Sequence, residues 1–202
     1  MDCCAQRQVV ADYFRSSCEA LDRASRDDGL TASILAIAEA ITGAFRAGGK
    51  VLIAGNGGSA ADAQHIAGEM LSRMNFDRNP LPAIALTTDT SVLTAVGNDY
   101  GFDQVFERQV RGLGRRGDVF IAISTSGRSP NIMSALRTAR EAGLVTIAFT
   151  GSGPREMNAL CDHCLAASAT ATPIIQQIHI VAAHVICGLV EEALFPQKAA
   201  PA

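Results

Sequence analysis

Residues 51–70 read VLIAGNGGSAADAQHIAGEM, and the order of residue types in this stretch decides the fold class. An apolar run, Val51 to Ala54, meets a glycine turn, Gly55-Asn56-Gly57-Gly58-Ser59, and passes into a segment with helical spacing expected from Ser59 to about Met74. The same strand, turn and helix order recurs downstream. Strands are predicted at Val51–Ala54, Ala83–Thr87, Val119–Ser124, Val145–Thr150 and Cys164–Ala167, and helices at Ser59–Met74, Phe102–Gly112, Pro130–Ala142, Pro154–Leu160 and Ile174–Leu194. Strands alternating with helices imply an α/β fold with a parallel sheet. Runs such as VFIAIS, apolar at every position, suit a sheet covered by helices on both faces.

The first fifty residues follow a different pattern. Two segments with helical spacing, Gln6–Ser25 and Leu30–Ala47, flank a charged stretch ending at Gly29 and read as an N-terminal helical hairpin closed by Gly48 and Gly49. The expected layout is a hairpin over 1–47 that packs on the body and on neighbouring subunits, an α/β domain over 48–196, and a tail without ordered structure over 197–202.

A chain of 202 residues, 48% hydrophobic and 18% charged, buries one sizeable core, so one main domain is expected. A formal charge of -3 leaves no basic surplus to neutralise a nucleic-acid backbone, and no nucleic-acid partner is expected. The opening MDCCAQRQVV lacks a basic segment followed by an apolar one. No apolar run reaches the roughly 18 residues of a membrane span, so a cytoplasmic protein with no membrane partner is expected. The six cysteines then read as reduced thiols, and Cys161 and Cys164 form a lone CxxC without the second pair that a four-thiolate zinc site needs.

Ligands of open parallel sheets bind beyond the carboxyl ends of the strands, where helix N-termini present unpaired amides. Two loops fall there. In Gly55–Ser59 the glycines let backbone approach a ligand closely, and Ser59 is placed to cap the next helix; the competing reading is a plain tight turn. This loop has neither the full GxGxxG spacing nor the Gly-Lys-Ser/Thr of a P-loop. The second loop, Ser124-Thr125-Ser126-Gly127-Arg128-Ser129-Pro130, gathers four hydroxyls ahead of a helix with Ser129 at the N-cap and Pro130 at the first helical position. It reads as a neutral anion cradle, better matched to a sugar phosphate than to a nucleoside triphosphate; the competing reading is a solvated Ser-rich turn with an ordinary cap.

His65 and Glu69 stand four residues apart, on one face of the helix that opens at the glycine loop. The last helix carries Gln176, His179 and His184, and His184 reads equally as a core histidine bonded to a carbonyl. Two imidazoles and two oxygen ligands from His65, Glu69, Gln176 and His184 would suit zinc. Gln176 and His184 lie about 12 Å apart along a helix axis, so both must lean inward to share an ion.

The stretches AGNGGSAADAQHIAGEM (54–70), LPAIALTTDTSVLTAVGNDYGF (81–102), ISTSGRSPN (123–131) and IIQQIHIVAAHVICGLVE (174–191) together resemble the SIS-domain phosphoheptose isomerases. The resemblance implies a three-layer SIS domain, a five-stranded parallel sheet flanked by helices, and a homotetramer with active sites near subunit contacts. The implied activity converts sedoheptulose 7-phosphate to D-glycero-D-manno-heptose 7-phosphate for lipopolysaccharide core or another surface polysaccharide. It makes Glu69 and His184 the acid–base pair. Substrate contacts are implied at Asn56, Gly57, Gly58, Ser59, Glu69, Asn98, Asp99, Ser124, Thr125, Ser126, Ser129 and Gln176. One Zn2+ per subunit is implied on His65, Glu69, Gln176 and His184. Where many members read Asp-Thr-x-Arg-Ile-Gln-Glu, this chain has Ala171-Thr172-Pro173-Ile174-Ile175-Gln176-Gln177, so three charges are missing beside the ligand set. Two alternatives keep the fold without turnover: a SIS protein that binds a replication initiator, and a sugar-phosphate-sensing module. Retention of both Glu69 and His184 favours the enzyme.

Overall fold

The computed structural model describes residues 3–153 and 156–196. Its five strands are β1 (Val51–Gly55), β2 (Ala83–Ala85), β3 (Val119–Ser124), β4 (Val145–Gly151) and β5 (His163–Ala167). They pair in parallel in the order β2-β1-β3-β4-β5. The seven α-helices are α1 (Cys3–Ser25), α2 (Asp28–Arg46), α3 (Gly58–Leu71), α4 (Thr90–Tyr100), α5 (Glu107–Leu113), α6 (Pro130–Glu141) and α7 (Thr172–Leu194). The expected three-layer α/β architecture and its N-terminal helices are present.

Period-two alternation splits the core between the two faces of the sheet. Val51 and Ile53 of β1, with Ile121 and Ile123 of β3, join α2, α3 and α7 on one face. Leu52, Ala54, Phe120 and Ala122 join α5 and α6 on the other. Each fully buried Leu, Ile or Phe contributes about 1.5–3 kcal/mol, which offsets the chain entropy of ordering both layers. Because β1 feeds α3 onto one face and β3 feeds α6 onto the other, the crevice between their carboxyl ends is a topological switch point.

α2 and α7 are long and apolar enough to cross a membrane by length and composition, although the sequence reading finds no such run. Their apolar faces are directed instead to the sheet and to the shared core, with Ile37, Ile41, Ile178 and Ile186 all buried. α1 buries only Ala20, near its end, and leaves Val9, Val10, Tyr13 and Phe14 exposed.

Several boundaries differ from expectation. α4 occupies residues read as loop; Asp89 caps it, its carboxylate accepting the Val92 amide at 3.0 Å. The expected helix over Phe102–Gly112 is a 3-10 turn, Phe102–Gln104, followed by α5, and only the 3-10 turn Glu156–Leu160 is seen of the expected Pro154–Leu160 helix, whose start lies outside the described residues. β2 stops at Ala85 and α3 at Leu71, short of Thr87 and Met74. The tail expected at 197–202 also lies outside the described residues.

Candidate active site

The glycine loop is wound too tightly for side chains at its start. A Cβ on Gly55 would lie 2.3 Å from the Ser59 carbonyl oxygen. Gly57, at a φ of 57°, takes the N-cap of α3 with no side-chain cap bond, and the left-handed geometry favours glycine there. Ser59, expected as the cap, is instead inside the first turn and buried. Asn56 exchanges two hydrogen bonds of 2.9 Å with Asn131, tying the glycine loop to the start of α6. Sequence reasoning passed over Asn131, although it directly follows the Ser129-Pro130 cap.

The hydroxyl loop crosses the other side of the crevice. Ser124, buried at the end of β3, has its Oγ 3.0 Å from that of Ser129 and 3.5 Å from that of Ser126. Ser126 Oγ in turn accepts the Arg128 amide. Ser129 is the N-cap of α6 with Pro130 after it, as expected, but makes no side-chain bond to the helix amides. The Thr125 carbonyl accepts the Gly151 amide at 3.1 Å, which fixes the loop to β4.

α3 and α7 run side by side in the same direction from this crevice. The Gln176 amide lies against Gly58, so closely that a Cβ there would come within 2.5 Å of its Nε2. Two turns further on, His65 Nε2 stands 3.1 Å from Glu69 Oε1 and 3.0 Å from His184 Nε2. The two imidazole rings tilt at 57° with centroids 4.9 Å apart. One proton on His65 Nε2 cannot serve both neighbours at once, whereas a cation among the three would take all of them as donors. The ligand atoms of His65, Glu69 and His184 lie within 4.8 Å of one another, and two imidazole nitrogens with a carboxylate oxygen form a donor set that fits zinc.

This geometry can be set beside known proteins. The family model for the SIS domain matches residues 12–151. A phosphoheptose isomerase from Bradyrhizobium sp. (strain ORS 278) is 59% identical over 186 residues, 92% of this chain and 94% of that protein. One from Aneurinibacillus thermoaerophilus is 48% identical over 189 residues, 94% of this chain and 96% of its own. The solved phosphoheptose isomerase of Neisseria gonorrhoeae superposes with a TM-score of 0.86 at 42% identity, covering 93% of this chain and 99% of that one. The chain belongs to the SIS-domain phosphoheptose isomerases.

Within this phosphoheptose isomerase fold the two histidines of the last helix take opposite roles. His179 is the core histidine: it is buried, its Nε2 meets the Thr150 carbonyl oxygen at 3.0 Å, and burial pulls its pKa down to about 4 against the pull of that carbonyl. His184 faces α3. Around the cluster, burial raises the Asp62 carboxyl, with His65 acting against it, and Asp62 Oδ2 has no hydrogen-bond partner. Burial, and next the charge of Glu69, push the Cys187 thiol up to about 12.

Not every expected residue joins this group. Asn98 and Asp99 sit exposed in the last turn of α4, bonded to each other at 2.7 Å, and among the described residues no hydrogen bond links them to the crevice. At the departure from the family pattern, Ala171 is the exposed N-cap of α7. Ile174 packs on the core, and Gln177 holds a buried Oε1 without a partner. Cys161 and Cys164 are free thiols, and Cys161 Sγ donates to the Asn158 carbonyl at 3.5 Å.

Proposed function

We propose that the protein is an aldose–ketose isomerase that converts sedoheptulose 7-phosphate to D-glycero-D-manno-heptose 7-phosphate, a precursor for heptose in lipopolysaccharide core or another surface polysaccharide. The observation that carries this reading is the meeting of His65, Glu69 and His184 on the helix pair that starts at the crevice between the glycine and hydroxyl loops. A general base and a neutral anion cradle at one mouth of the sheet are the two things a phosphorylated ketose requires.

The chemistry moves one proton between neighbouring carbons. Glu69 takes a proton from C1 of the ketose, leaving an enediolate, and returns it to C2, while the proton on O1 moves to O2 with His184 within reach to relay it. Ser124, Thr125, Ser126 and Ser129 hold the phosphate, and their binding energy orients the far end of the sugar. Asn56, Gly57, Gly58, Ser59 and Gln176 line the sugar's path. His65, Glu69, Gln176 and His184 would hold one Zn2+ per subunit, and the ion would polarise the substrate oxygens as a Lewis acid.

The assembly we assign is a homotetramer. α4 has no buried residue, and α1 exposes Val9, Val10, Tyr13 and Phe14, apolar surface that a second copy would cover. In that assembly Asn98 and Asp99 reach substrate at a subunit contact, and residues 1–47 form the packing element on the SIS body of 48–196. A sugar phosphate does not cross a bilayer unaided, which puts the reaction in the cytoplasm, without nucleic-acid or membrane partners.

Incubating purified protein with sedoheptulose 7-phosphate and following the aldose by NMR tests the reading. Appearance of D-glycero-D-manno-heptose 7-phosphate is expected, and binding without conversion would leave a sensing module in its place.

A further inference from the structure

Behind the histidine cluster lies a buried ion pair that the proposed chemistry does not use. Arg78 and Glu191 have side chains 2% and 0% exposed, with Nε and Oε1 3.1 Å apart. Glu191 also accepts the amides of Met74 at 2.9 Å and Asn75 at 2.7 Å. Burial acts to raise its pKa, but these amides and the Arg78 charge outweigh burial and hold the carboxyl below its ordinary range. Arg78 spends its remaining donors on backbone carbonyls: Nη2 to Glu69 at 2.8 Å and Nη1 to Met70 at 2.6 Å and Asn79 at 3.1 Å. Its guanidinium also lies 5.8 Å from the centre of the Phe195 ring, just past the end of α7.

This arrangement does more than cap a helix. The last carbonyls of α3 have no partner within the helix, and Arg78 takes the carbonyl of Glu69 itself. Glu191 stands seven residues, or about 10.5 Å, beyond His184 on nearly the same face of α7. Apart from the Gln176 amide against Gly58 and the His65–His184 contact that the register itself must produce, the contact between α3 and α7 is apolar, through residues such as Ile66, Ala67, Ala183 and Ile186. Apolar contact is non-directional and leaves the register of two parallel helices weakly specified, whereas a fixed fork of hydrogen bonds specifies it.

We infer that the buried Arg78–Glu191 pair is a positioning element that sets the register of α3 against α7 and so holds Glu69 and His65 within reach of His184. The inference rests on the isomerase reading above for its functional consequence. Removing both charges separates register from stability, because well-packed apolar side chains often replace a buried pair without loss, while removing one partner strands a buried charge.

The test uses the full chain with Arg78→Met, Glu191→Leu, and both together. Each single variant is expected to melt roughly 6 °C or more below the parent. The double variant strands no charge but strips partners from the Met74 and Asn75 amides and from three carbonyls, and is expected to melt between the singles and the parent. Assayed at a temperature where parent and double variant are both folded, kcat of the double variant is about 10-fold or more below the parent while KM changes little. Its crystal structure shows the His65–His184 nitrogens moved apart from the parent's 3.0 Å. A double variant that folds with parental kcat and an unchanged separation overturns the inference, since the pair would then have no part in setting the register. If the double variant does not fold, Arg78→Lys decides. Its single ammonium keeps Glu191 paired but cannot serve three carbonyls, so kcat falls, and a parental kcat overturns the inference. If the parent itself does not convert the sugar phosphate, the isomerase reading fails, and the nitrogen separation in the variant crystal still decides whether the pair sets the register.

Discussion

Gly58→Ala separates the geometry of the site from the stability of the fold. Gly58 is not among the glycines with positive φ, so alanine can adopt its backbone. In the first turn of α3, alanine favours the helix by up to about 1 kcal/mol and removes freedom from the unfolded chain. Against this, the new methyl would sit 2.5 Å from Nε2 and 2.9 Å from Cδ and Oε1 of Gln176. To reach ordinary contact near 3.4 Å the Gln176 amide must retreat by about 0.9 Å, a rotamer shift costing on the order of 1 kcal/mol. The two effects nearly cancel, so the melting temperature should stay within about 4 °C of the parent.

Activity should respond differently. If Gln176 holds substrate or metal, a displacement near 1 Å lowers kcat/KM by about 10- to 100-fold. Steady-state kinetics with sedoheptulose 7-phosphate reads the loss, and a cycle with Gln176→Ala tests its origin: in the Gly58→Ala background, truncating Gln176 should cost little more. Gly55→Ala is the contrasting control. Its methyl would meet the Ser59 backbone at 2.3 Å, which cannot swing aside, so stability should fall by about 1–3 kcal/mol. Parental kcat/KM in Gly58→Ala alongside a crippled Gln176→Ala would refute the reasoning, since Gln176 would then work from a position the methyl does not disturb.

Glu69→Gln keeps the size of the side chain but removes the base, and turnover should fall by about 10²- to 10⁴-fold. Solvent deuterium should cease to enter the aldose in step with the rate; zinc content is measured alongside, and retained turnover would pass the role of base to another group. Ser124→Ala with Ser129→Ala breaks the 3.0 Å hydroxyl pair and should raise KM about 10-fold or more with a smaller change in kcat, whereas unchanged binding would put the phosphate elsewhere. His179, held at about 4 against an ordinary 6.5, is more acidic folded than unfolded. Its contribution is therefore complete above about pH 6.5 and is lost as pH falls toward 4, a total of about 3 kcal/mol. Denaturant melts at pH 7 and 4.5 should show the gap between parent and His179→Gln narrowing at the lower pH, and a pH-independent gap would refute this.

The parallel sheet could be read from the chain because its evidence is local: apolar runs between glycine turns, each followed by helical spacing. α4 could not be read this way, because TTDTSVLTAVGNDY is rich in β-branched residues of low helix propensity, and only Asp89 marked its start. In the site, spacing alone put His65 beside Glu69. His179 and His184 could not be told apart, since both stand in one apolar run. Five residues rotate a helix by about 500°, which leaves the two on different faces, one toward β4 and one toward α3. Only the strand order, which brings α7 against α3, decides which is which. The same reason hid Asn131, whose partner Asn56 is 75 residues away, and the Arg78–Glu191 pair, separated by 113. Periodicity says that a side chain lies on a face; what that face meets is a property of the topology, and the residues that join α3 to α7 and β1 to β3 acquire their roles only once the sheet has brought those elements together.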